Sequence, residues 1–160
     1  MENIHKTFLD EIVEAEKFWQ SADHLIYITL PIVKDPKLMI RALENLHRGV
    51  VKNISLILKF EYLYKRVQLS KDSKKNLEIF FRKCAGRYSL GELDKKLIKD
   101  IVILGRKHKE SGVEFSKSGK VIILDDNLGT SELTLEKMKE YLQTGKRLLE
   151  NTNRNFKSFI

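Results

Sequence analysis

Phe8, Ile12, Ala15, Trp19, Ala22 and Ile26 recur at steps of four and three, which places one continuous apolar seam along an amphipathic helix. A chain that opens in this way has to bury the seam against other helices, and the same rhythm returns later. Pro31 is expected to end this first helix. After it, Asp35 reads as an N-cap and Pro36 as a first-turn residue of a second helix running to about Leu69. Its apolar positions, among them Leu43, Leu46, Val50, Ile54, Ile57, Leu58 and Leu63, cover the wide arc of a central helix with several neighbours. Gly49 in its interior marks close packing or a kink.

A short third helix is expected to bury Leu77, Phe80, Phe81, Cys84 and Tyr88. Ser89-Leu90-Gly91-Glu92 has the form of a capping box, and the helix it opens should reach about Lys109 with Leu93, Leu97, Ile101 and Leu104 inside. β-Branched residues around Ser118-Gly119 predict a hairpin from Val113 to Leu124. Thr134 caps a last helix over about 134–152, and the tail 153–160 is expected to fray unless Phe156, Phe159 and Ile160 dock back. The fold class that follows is mainly α, a five-helix bundle with one late β-hairpin, forming a single domain over residues 1–160. A lone hairpin is marginal in water, so it needs a helix or a second copy of the chain, and a homodimer is the expectation.

The formal charge of +8 is unevenly spread: residues 1–30 carry −4, 31–70 carry +5, 71–110 carry +6 and 111–160 carry +1. A basic excess in mid-chain draws polyanions or acidic protein surfaces. The N-terminal stretch is acidic and lacks the basic start and apolar core of a secretory signal. The longest apolar run, Leu25 to Val33, falls far short of the ~20 residues of a membrane-spanning helix. A cytoplasmic protein without membrane contact is expected. The single cysteine, Cys84, forms no internal disulfide and reads as a buried structural thiol.

Arg41 and His47, in the stretch RALENLHRG, stand at the Arg-to-His spacing of the small all-helical HEPN domains, and the stretch resembles theirs. The resemblance implies a metal-independent ribonuclease in which His47 is the general acid or base, typically across a dimer interface. Two departures stand beside it: Ala42 follows Arg41 where a polar residue is usual, and the pair lies early in the chain rather than on a late helix; six positions on one helix also set the two side chains about 120° apart. Glu44 and His47 form one Glu-x-x-His pair, but a helical di-iron site needs a second, so no metal and no cofactor are expected. Ser118-Gly119-Lys120 lacks the glycine spacing and the following Ser or Thr of a phosphate-binding loop; Gly112 stands too far from Gly119.

The basic residues carry the leading reading. Lys95, Lys99 and Arg106 fall on one face of the fourth helix, and Lys71, Lys75 and Arg82 on one face of the third if it begins early enough. Such stripes track a phosphate backbone without reading sequence. Lys59 to Arg66, KFEYLYKR, interleaves aromatics with cations, which would let Tyr62 or Tyr64 stack on a base. The expected function is therefore non-enzymatic binding of RNA, DNA or a ribonucleoprotein; the alternatives are the HEPN-type nuclease and a protein-interaction adaptor. The phrases SADHLIYITLPIVKDPKL, LKFEYLYKR, HKESGVEFSKSGKVIILDDN and LTLEKMKEYL together resemble a group of small archaeal proteins. That likeness implies a helical bundle, HEPN-like in outline, and an archaeal cytoplasm.

Overall fold

A computed structural model describes residues 2–111 and 113–159. The expectations that touch Gly112 and Ile160 lie outside these. The chain is mainly helical: five helical rods and, late in the sequence, a three-stranded antiparallel sheet. The first rod joins α1 (Glu2–His24), a π-helical turn (Leu25–Thr29) and α2 (Leu30–Val33). The second is α3 (Leu38–Leu63), and the third joins α4 (Ser73–Ile79) to another π-helical turn (Phe80–Cys84). Then follow α5 (Glu92–Glu110), the strands β1 (Val113–Lys117), β2 (Lys120–Leu124) and β3 (Thr130–Leu133), and α6 (Leu135–Lys157).

Pro31 does not end the first helix. The π turn carries the Leu30 N–H to Leu25 O, widening the helix where the proline ring and its missing N–H would otherwise break it, and α2 adds another turn. Termination comes at Lys34, in the left-handed conformation at φ 59°, whose N–H bonds Leu30 O. Asp35 is not the cap residue, because α3 begins two residues later than expected with Lys37 as its N-cap; the Asp35 carboxylate instead accepts from Lys37 N at 3.0 Å in the turn before the helix. α3 stops at Leu63 rather than Leu69, because Lys65 turns left-handed at φ 60° and the bonds Lys65 N to Tyr62 O and Arg66 N to Glu61 O close a Schellman motif. Ser89 is not a helix cap either. At φ 57° it ends the third rod in a second Schellman motif, with Ser89 N to Gly86 O and Leu90 N to Ala85 O, while Gly91 is the cap residue of α5.

α3 is the centre of the bundle, packing on α1, α5 and α6. Gly49 marks close packing: a Cβ there would lie 3.2 Å from Phe18 Cβ and 3.3 Å from Ala15 O of α1. On α5 the buried residues are Leu97, Ile98, Ile101, Val102, Leu104 and Gly105, whereas Leu93, expected inside, is 65% exposed. α6 continues past 152 to Lys157 because Thr152 and Phe156 are buried; Phe156 stacks on Phe60 and Phe159 lies against Tyr64.

The hairpin forms where expected, with Ser118 and Gly119 both at positive φ (54° and 77°), as a two-residue type I′ turn requires. It is not alone, however. β3 pairs with β2, and the Asp125 carboxylate holds the connecting loop by accepting from Asn127 N and Gly129 N. Val121, Ile123 and Leu133 are buried and β2 meets α5, so the hairpin finds its cover within the chain.

At the end of α3 the Glu61 carboxylate is buried and holds three chain segments together. Arg66 places Nε 2.6 Å from Oε2, Arg87 donates Nη1 to Oε2 at 3.0 Å, and the Tyr88 hydroxyl donates to Oε1 at 2.9 Å. About two turns earlier on the helix, Asn53 is equally buried, yet neither amide atom has a hydrogen-bond partner among the described residues. These two sites should respond oppositely. Glu61→Gln is expected to cost about 1.5–3 kcal/mol in urea denaturation, the worth of hydrogen bonds to a charged group, whereas Asn53→Ala is expected to cost nothing because no bond is lost.

Candidate functional site

The six cations singled out from the sequence divide between two elements. Lys75 and Arg82 are exposed on the third rod; Lys71 is exposed too but precedes the N-cap Asp72, so it lies outside the helix. The π turn at Phe80–Cys84 adds a residue between Lys75 and Arg82, so their alignment is not that of a plain α-helix. On α5, Lys95 is held by Glu92 at 3.2 Å, Lys99 places Nζ 4.8 Å above the Phe81 ring, and Arg106 is half-buried. The latter two stand at the junction with the third rod. Except for Lys95, none of the six has a carboxylate at ion-pair distance among the described residues.

Between α3, the third rod and α5 runs an open groove of ≈ 350 Å³. Ile54 and Leu58 of α3, Leu77 of α4 and Val102 of α5 form its apolar walls, with Lys59 and Arg106 among its polar lining. Asn76 fixes the near edge, accepting from Ser70 N at 2.7 Å and donating to Ser70 O at 2.8 Å. Periodicity did not reveal this groove, since it needs three segments brought together. Of the aromatics in KFEYLYKR, Tyr62 is 58% exposed, while Phe60 is buried and Tyr64 packs against Phe60, Phe159 and His5.

Arg41 and His47 do not converge. Arg41 is exposed, and its carbonyl accepts from the Asn45 amide; His47 is 6% exposed and packs on Gly105, where an added Cβ would fall 2.2 Å from its Cδ2. Burial pushes the His47 pKa down to about 4, helped by the positive charges of Lys109, Arg106, His108 and Arg48. Glu44 turns away from its sequence neighbour: its carboxylate lies 2.7 Å from Nε2 of His108 on α5, and the Nδ1 of that ring bonds Glu114 on β1. Burial works against a charged ring, but the hydrogen bonds to Glu114 and Glu44 and their negative charge outweigh it, so the His108 pKa is raised. Sequence spacing does not reveal this bridge: His108 and Glu114 are six residues apart but on different elements, α5 and β1, and Glu44 is far from both in the chain.

Cys84 is buried, and burial with the nearby Glu61 charge pushes its thiol up to about 11, which leaves it protonated and unreactive at neutral pH. Among the described residues no group of three or more His, Cys, Asp or Glu is arranged to hold a metal, and no helix is long and apolar enough to cross a membrane. No protein-family model, curated protein or solved structure matches the chain.

The two histidines give stability opposite slopes in pH. Neutral His47 contributes fully above its ordinary 6.5, and that contribution is lost as pH falls through 6.5 toward about 4, on the order of 3 kcal/mol in all. The His108 bridge contributes fully below 6.5 and is lost as pH rises through its raised pKa. In thermal melts across this range, His108→Gln is expected to flatten the alkaline decline and His47→Leu the acid one.

Proposed function

We propose that the protein binds nucleic acid without cleaving it, through the basic surface formed by the third rod and α5. The observation that carries this reading is that Lys71, Lys75, Arg82, Lys99 and Arg106 have no carboxylate partners among the described residues, in the most basic part of the chain. Two acidic residues nearby are engaged elsewhere, Asp94 with Arg147 at 2.6 Å and Asp72 on Lys74 N as a cap. Unpaired cations spread over two neighbouring elements suit a phosphate backbone, because each contact releases a condensed counterion whatever the base sequence. Lys95, neutralised by Glu92, contributes least of the six.

Fluorescence anisotropy with single-stranded RNA over a salt series tests the reading. Five phosphate contacts give a log–log salt slope of about −3.5 on a single strand. The double variant Lys75→Glu, Arg82→Glu is expected to weaken binding at least ten-fold and to shallow that slope by about 1.4. The RNA should remain intact on a gel; cleavage that disappears in Arg41→Ala or His47→Ala would favour the nuclease reading in its place. Absence of binding at low salt would remove the proposal and leave the charge a solubility feature.

A further inference from the structure

We propose that the groove between α3, the third rod and α5 is a binding site for a small amphipathic anion, an unbranched aliphatic chain ending in a carboxylate or phosphate. The inference is independent of the nucleic-acid reading, although Arg106 belongs to both surfaces. Its lining comes first. Val51, Ile54, Leu58, Leu69, Leu77 and Val102 make an aliphatic floor in a cavity of ≈ 350 Å³, the size and character of small-molecule sites in which a few polar groups fix orientation. Among the described residues no aromatic lines it, which favours an alkyl chain over a base, since bases are held on aromatic platforms.

Charge selects the head group. Among the described residues no Asp or Glu lines the groove, and its two charged residues are both cations, Lys59 and Arg106. Arg106 is half-buried, yet among the described residues its side chain has neither a carboxylate partner nor a hydrogen bond. A planar guanidinium in that state is matched by the two oxygens of a carboxylate or phosphate, taken side by side. Its position is fixed at one end of the groove. His108 meets Glu44, and Gly105 meets His47, so α5 runs antiparallel to α3 and brings Arg106 beside the Val51 end. Lys59 stands eight residues further along α3, about 12 Å away on helix geometry, a span that a medium-length alkyl chain covers when extended. The chain therefore lies along α3 with its head at Arg106 and its tail toward Lys59, whose aliphatic stem extends the floor while its ammonium reaches solvent.

Isothermal titration calorimetry on the full chain, with ligands kept below their critical micelle concentrations, tests this. Decanoate and decyl phosphate are expected to bind with one-to-one stoichiometry, and the tighter of the two identifies the head group. Acetate, which has the head without the chain, and decyltrimethylammonium, which has the chain with the opposite charge, should bind at least ten-fold more weakly. Arg106→Gln should weaken decanoate at least ten-fold, and Leu69→Asp, at an exposed position on the rim, should do the same by placing a carboxylate against the floor. Circular dichroism of both variants should match the parent protein. The double variant Lys75→Glu, Arg82→Glu should leave decanoate binding unchanged, which separates this site from the nucleic-acid surface. Absence of decanoate binding, equal binding of the cationic amphiphile, or an Arg106→Gln variant that binds like the parent would overturn the assignment.

Discussion

The burial of α3 on several sides at once is the constraint around which the other elements arrange themselves. Its apolar residues meet α1, α5 and α6, and each large side chain so enclosed is worth about 1.5–3 kcal/mol. A helix in that position has nowhere to put polar groups cheaply, yet His47, Asn53 and Glu61 are all buried on it. Each is accommodated by a different physical route. His47 gives up its proton, Glu61 keeps its charge inside a clamp of two arginines and a tyrosine, and Asn53 stays without a protein partner. The C-terminal end of α3 is thereby tied in polar fashion, through the Glu61 clamp.

A division of labour among charges follows. Several carboxylates are drawn into structural roles: Glu61 in its clamp, Glu44 and Glu114 on His108, Asp94 on Arg147, Asp72 on a helix start and Asp125 across a strand connection. Many lysines and arginines have no such role, above all on the third rod and α5. The excess positive charge is thus located as well as counted, and where it borders concave apolar surface it can meet a ligand that is anionic at one end only. Charge and groove overlap at Arg106, the one cation that is both half-buried and unpaired on the groove wall.

The helical seams were legible in the sequence because burial on one side imposes its own period: Ile12, Ala15, Ala22 and Ile26 lie where the steps of four and three put them, and so do Leu97, Ile101 and Leu104. The hairpin was legible because Ser-Gly supplies two residues that accept positive φ. Boundaries were less so. Pro31 was overruled by a π turn, and Ser89 and Lys65 end helices in a conformation usually left to glycine, so neither residue type announces the stop. β3 was missed because Thr130–Leu133 offers only Leu133 to the core and reads equally well as the approach to the Thr134 cap. Of the candidate sites, the cations were visible as a compositional excess, but the groove and the Glu44–His108 half of the bridge depend on segments distant in sequence, which no local pattern encodes.

The π turns bear on how this chain can change length. Each one is equivalent to a helix that has taken in one additional residue without rotating what precedes or follows it. Loss of a residue elsewhere in α1 would turn every later side chain by about 100° and carry the seam out of the core. Loss of one within Leu25–Thr29 can instead be absorbed by a return to ordinary α geometry, with Pro31 then bearing the cost of a tighter helix. The wide turns are thus the places along these rods where single-residue deletions meet the least structural resistance.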